Sequence, residues 1–275
     1  MPAGRLLRRV LCLALLAAAC TPATDDATTS TSPPTDSTTR QAAAITCPVE
    51  GEPLAETMIY IEHNATETDT GVHGLLSNDA WGHLCVRDPE GRQILLVDPE
   101  GQLGELNLAD IFFESREPPN DEFSVDDLTA AFPEGDYVVS GTDFEGTDFV
   151  GTARFTHQIP APPTITAPEL SDEEEGEDQP VADPGGVEVR WEPVTETIDG
   201  EPVDIVSYEV IVTKVDHQDP DALSQPEYDV HMSPGATTLP VPEAFFESDT
   251  LYELEVLAVE ESGNQTIALG FFRTG

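Results

Sequence analysis

Lysine is nearly missing from this chain. Lys214 is the only one, and lysine and arginine together number 11 against 54 aspartates and glutamates. A surface so poor in cations cannot neutralise phosphates, which excludes a nucleic-acid binder. It also repels anionic lipid headgroups. Long apolar runs are missing too. The longest, "LCLALLAAA" at residues 11–19, falls far short of the ~20 residues needed to cross a bilayer. No HExxH, GxSxG, P-loop or GxGxxG pattern occurs, so the common metalloprotease, hydrolase and nucleotide-binding motifs are absent. Carboxylates are too abundant for any pair of them to point to glycoside hydrolysis. Only four cysteines are present and none forms a CxxC, which removes the usual structural zinc patterns.

What is present is acid. The formal net charge is −43. Three of the arginines (Arg5, Arg8 and Arg9) and no acid lie before Cys20, so a chain starting at Cys20 carries 8 basic and 54 acidic groups. Such a charge favours solubility and works against compaction through self-repulsion. Salt would screen that repulsion. One reading is adaptation to a salty medium; the other is a generic acidic secreted protein.

The N-terminus has three parts: basic "MPAGRLLRRV", apolar "LCLALLAAA", and small residues before Cys20. This is the layout of a signal peptide over residues 1–19. The segment "TPATDDATTSTSPPTDSTTRQAAA" follows without apolar periodicity and reads as a disordered tether, so that residues 20–44 are linker. "LAAAC" at 16–20 resembles the lipobox of bacterial lipoproteins, although Leu16 sits one place further from the cysteine than that family prefers. The resemblance implies cleavage before Cys20 and acylation of its sulfur. Several acyl chains give stable anchoring where one alone is marginal. Ordinary secretion, with cleavage after Ala17-Ala18-Ala19, is the alternative. With Cys12 in the leader and Cys20 lipidated, Cys47 and Cys85 remain, an even pair in an exported chain, and are assigned to a disulfide.

Residues 45–160 read as a β-rich domain. "ETMIYIEHNA" (56–65) is a strand. The first DPEG, at 88–91, closes a hairpin, and the second, at 98–101, ends the returning strand. "LNLADIFFES" (106–115) reads as a short helix or an irregular bridge, and "SVDDLTAAF" (124–132) as a short helix with a capping box at Ser124 and Asp127. Residues 136–159 form two strands around "DFEG". "PAPPTITAP" (160–168) reads as a stiff link, and residues 171–186 as an acidic loop. Five or more short alternating runs then imply a β-sandwich over 161–275. The fold class is therefore all-β, with two sandwich-type domains and one or two short helices in the first.

Residues 162–275 resemble a fibronectin type III domain. Trp191 in "VRWEP" takes the place of that family's core tryptophan, Tyr208 falls on the third strand, and Tyr252 in "LYELEVLAV" is the tyrosine-corner residue. The first domain, through "FPEGDYVVSGTDFEGTDFVGTARFTHQIPAPP", looks like β-rich segments that precede such domains in exported bacterial proteins. Neither resemblance implies an activity, because the fold hosts many.

No catalytic residue is assigned and no cofactor is expected, calcium excepted. His63, His73 and His83 recur at ten-residue intervals near Cys85, a spacing that successive strands would also produce. The calcium candidates are oxygen ligands in two turns: Asp69 and Asp79, with Glu67, and Asp143, Glu145 and Asp148. Trp81 and the Phe112-Phe113 pair are aromatics that could mark a contact surface or fill the core. The function expected is a non-enzymatic, lipid-anchored cell-surface or envelope protein, at the outer membrane or cell surface, that binds a protein or glycan partner. The alternatives are an extracellular enzyme or accessory acting on polymer, and a structural spacer.

Overall fold

The computed structural model describes residues 45–174, 176, 179–215 and 225–275. The residues read as signal peptide and tether, Cys20 among them, lie outside the described residues, as does part of the acidic loop. Among the described residues no helix is long and apolar enough to cross a membrane. The protein is all-β with two short α-helices.

In chain order the first part holds β1 (Glu52–Pro53), β2 (Glu56–Asn64), β3 (Asp69–Trp81), β4 (His83–Arg87), β5 (Gln93–Val97), α1 (Gly101–Leu106), β6 (Leu108–Glu114), α2 (Val125–Ala131), β7 (Gly135–Thr142) and β8 (Asp148–Phe155). The second holds β9 (Ile165–Ala167), β10 (Val181–Ala182), β11 (Glu188–Trp191), β12 (Ile205–Lys214), β13 (Glu227–Met232), β14 (Thr238–Pro240), β15 (Leu251–Glu260) and β16 (Gln265–Thr274).

Local chemistry explains several boundaries. The Asp88 carboxylate accepts from the Glu90 and Arg92 amides at 3.0 and 2.8 Å, and Gly91 takes φ +80°, so the first DPEG closes the β4–β5 hairpin. Ser124 and Asp127 form the reciprocal capping box of α2. Cys47 and Cys85 are disulfide-bonded. The segment read as a helix or bridge is instead the strand β6, preceded by α1. Its alternation decides this: Ile111 and Phe113 turn to the core while Phe112, on the other face, is 54% exposed. Trp81, which the sequence left between contact surface and core, ends β3 and is fully buried, its indole donating to the Ala109 carbonyl at 2.9 Å.

Two main apolar cores result, beside a smaller buried cluster of Leu251, Leu257, Ile267, Leu269 and Phe271. One contains Ile59, Ile61, Val72 and Leu76 from β2 and β3, packed against Leu84, Val86, Tyr137 and Phe155 of the sheet β1-β8-β7-β4-β5. The other lies between the three-stranded sheet β14-β11-β9 and the inner face of β12, β15 and β16, and contains Trp191, Tyr208 and Tyr252. The Tyr252 hydroxyl accepts from the Glu247 amide at 2.8 Å, which is tyrosine-corner geometry. Tyr208 accepts from the Val194 amide at 2.8 Å.

The two cores share one sheet. β16 pairs in parallel with β2 over Gln265–Ile267, giving the path β13-β12-β15-β16-β2-β3-β6, while the far end of β16 pairs with β10. Residues Ile45–Gly275 accordingly form one compact unit. The Pro-rich link is bound into it: Thr266 donates to the Pro160 carbonyl at 2.6 Å, and the Ala161 amide to Glu196 at 2.8 Å. Asn264, fully buried, accepts from the Ile61 amide at 2.8 Å and donates to the Thr156 carbonyl at 3.0 Å and the Gln158 carbonyl at 3.3 Å.

Candidate functional site

The pleat sends alternate residues of β2, β3 and β6 to opposite faces. Ile59, Ile61, Val72 and Leu76 enter the core, so Tyr60, Glu62, Gly71, His73, Phe112 and Glu114 stand on the other face of the shared sheet. Tyr60 pairs with His73, and His73 with Glu114.

His73 is the centre of this face. It is only 2% exposed, and both ring nitrogens meet carboxylates: Nε2 lies 2.8 Å from Glu117 Oε1 and Nδ1 lies 3.6 Å from Glu62 Oε2. Tyr60 leans over the imidazole at 5.4 Å between ring centroids, and Phe112 meets it edge-on at 5.7 Å. Burial on its own would discharge the ring. The hydrogen bond that the ring donates to Glu117 and the charges of Glu62, Glu117 and Glu114 outweigh burial and raise its pKa. Burial first, and then the charges of Glu62, Glu209, Glu114 and Glu117, push the Tyr60 phenol up.

Glu117 reaches the ring because the chain after β6 is laced to β3. The Ser115 amide donates to Val72 O, and Ser115 Oγ accepts from the Val72 amide, both at 2.9 Å. The Asn120 amide donates to Thr68 O at 2.7 Å, and its side chain accepts from Thr70 Oγ1 at 2.9 Å. Gly71 leaves the gap that Glu117 fills, since a Cβ there would stand 2.6 Å from Glu117 Cγ and Oε1. Glu62 is held from the other core, accepting a hydrogen bond from Gln265 of β16.

Among the described residues a second convergent group is Glu209, Asp229 and His231, on β12 and β13. His231 Nε2 lies 3.7 Å from Glu209 Oε1 on a largely exposed edge. Burial, then the neighbouring Asp229, raises Glu209 to about 6.

Of the three evenly spaced histidines, only His73 enters a cluster. His63 Nδ1 is 2.9 Å from Thr70 Oγ1, and His83 belongs to β4 on another sheet. The residues singled out for calcium are used locally. Asp143 accepts from the Glu145 and Thr147 amides at 2.8 and 2.7 Å, tying the β7–β8 turn, and Asp148 accepts from Thr142 at 2.8 Å. Asp79 is exposed on β3. Asp69 closes the end of β3 against Pro119, and burial beside Glu117, Glu67 and Glu62 raises it to about 6.

Two of the shallow surface depressions among the described residues lie elsewhere. One of about 470 Å³ is lined by Ile165, Pro168, Leu170 and Leu269. The other, about 330 Å³, lies where the cores meet, between Met58, Arg154 and Ser262, and the Ser262 hydroxyl there is engaged by Glu260 and Thr156.

The sequence singled out His73 by spacing alone and did not reach Glu62, Glu117 or Tyr60. Their convergence depends on strand pairing and on a loop that folds back over the sheet.

No family model matches the chain, and no curated protein matches it. Among solved structures, the FN1-FN3 domains of chicken CNTN1 align at 12% identity over 82% of this chain and 69% of that one, with a TM-score of 0.29. A tetra-tandem repeat in the extending region of a large adhesion protein aligns at 11% identity over 79% of this chain, with a TM-score of 0.24. The chain spans about half (49%) of the length of that repeat structure.

Proposed function

We infer that this is an exported, non-enzymatic recognition protein, anchored to the envelope through Cys20, which offers the outward face of its shared sheet to a protein or glycan partner. The observation that carries the reading is Phe112, a 54% exposed aromatic fixed edge-on against buried His73 on that face. Aromatic side chains are enriched at interfaces relative to the rest of a protein surface. The parallel β2–β16 pairing supports it, because two cores on one sheet present the face without a hinge between them. The disulfide fits an oxidising, exported setting. Anchoring would raise the effective concentration for a weak partner.

The test places a photo-cross-linking amino acid at Phe112, or at Ile94 on the other sheet, in intact cells. A discrete adduct from the Phe112 position and none from Ile94 is expected. No adduct from Phe112, or the same adducts from both, would overturn recognition by this face and leave the spacer role. In parallel, Cys20→Ser should move the protein from the membrane to the soluble fraction.

A further inference from the structure

We propose that Glu62, His73 and Glu117 bind one divalent transition-metal ion, with zinc the preferred metal. The three side chains come from β2, β3 and the segment after β6, and their donor atoms lie within 4.8 Å of one another. Zinc is bound by imidazole nitrogen and carboxylate oxygen at about 2.0–2.2 Å, so small side-chain movements close this set on an ion. An imidazole among two carboxylates favours zinc over calcium or magnesium, which take oxygen.

The set is built rather than a chance meeting of surface acids. His73 is almost wholly buried, and the side chains of Glu62 and Glu117 are 12% and 23% exposed. Each is fixed by a different device. Gln265 donates to Glu62, Tyr60 and Phe112 pack around the imidazole, and Glu117 occupies the space left by Gly71. Glu114 stands on the same face, opposite His73 in the strand register. Three protein ligands leave a fourth tetrahedral position for water or for a group from a partner. Of the calcium candidates, Asp69 stands beside Glu117 and Glu62, whereas Asp143, Glu145 and Asp148 belong to the distant β7–β8 turn.

The test is calorimetric titration of chelator-treated full-length protein with zinc chloride near neutral pH, with calcium and magnesium chloride as comparisons. One equivalent of zinc should bind, more tightly than calcium or magnesium. His73→Gln should abolish binding, Glu117→Gln should weaken it by more than about tenfold, and His231→Gln should leave it unchanged. Gly71→Ala is read beside these. Its methyl would stand 2.6 Å from Glu117 Cγ and Oε1 and 3.0 Å from Ser115 Oγ, so zinc affinity should fall as in Glu117→Gln, and a melting curve of each variant, His73→Gln included, guards against loss of fold. Absence of saturable binding to wild type, or zinc binding retained in His73→Gln, would overturn the proposal.

Discussion

Replacing Asn264 with leucine tests whether the two cores behave as one body. Leucine keeps the branching and the number of side-chain heavy atoms but removes every hydrogen bond of the side chain. The Ile61 amide then loses its 2.8 Å acceptor, and the Thr156 and Gln158 carbonyls lose their donors. Asn264 is fully buried, so water cannot easily replace it. A buried polar group left without a partner costs about 1–3 kcal/mol, and carbonyls tolerate the loss better than amides. Counting the amide in full and the carbonyls in part gives a destabilisation of about 3 kcal/mol. For a unit the size of Ile45–Gly275, that is a fall in Tm of roughly 6–12 °C. Thr156→Val, which removes the hydroxyl 3.1 Å from Asn264 Nδ2, should cost about 1 kcal/mol. Scanning calorimetry reads both effects. Wild type should melt in one transition, and Asn264→Leu should melt earlier and begin to separate the cores. A Tm within about 2 °C of wild type, less than 1 kcal/mol for this size, would show that Asn264 does not couple the cores.

Three further outcomes are expected. Removing the disulfide by Cys47→Ala with Cys85→Ala should cost about 4 kcal/mol on the chain-entropy account for a separation of 38 residues, read by thermal or urea melting; a loss below about 1 kcal/mol would refute that account. Glu209 and Asp69 are both raised to about 6 in the fold, so the folded state holds their protons more tightly than the unfolded chain does. Their contribution is therefore gained as pH falls from about 7 towards 5 and lost as pH rises through 6; Tm should increase on that acidification, and Glu209→Gln should flatten the increase. Added NaCl should raise Tm by screening a net charge of −43, and a melt insensitive to salt would remove the salty-habitat reading.

Much of the fold was legible because its signals are local. The capping box of α2, the Asp88 hairpin turn, and the alternation of β12 and β15 each depend on residues a few positions apart. The fibronectin-like markers Trp191, Tyr208 and Tyr252 all fall in the second core, as the resemblance implied. Legibility failed at β3 and β6. "GVHGLLSNDAW" contains glycines, Asn78 and Asp79, which are poor strand formers; β2 and β6 pair on either side of β3 as far as Ser77, and β6 pairs again at Trp81 after an irregularity that takes up Asn78 and Asp79. In β6 the pattern is short enough to fit a helix turn, and only its pairing with β3 fixes it as a strand.

The sequence by itself determined the all-β class, the acidity, the leader-like N-terminus and the cysteine pair, since composition and short-range pattern carry these. Tertiary structure decided that β2 and β16, about 200 residues apart, lie side by side, and that Glu62, His73 and Glu117 meet. Such contacts depend on register between distant strands. A shift of one residue would turn His73 into the core and disperse the cluster.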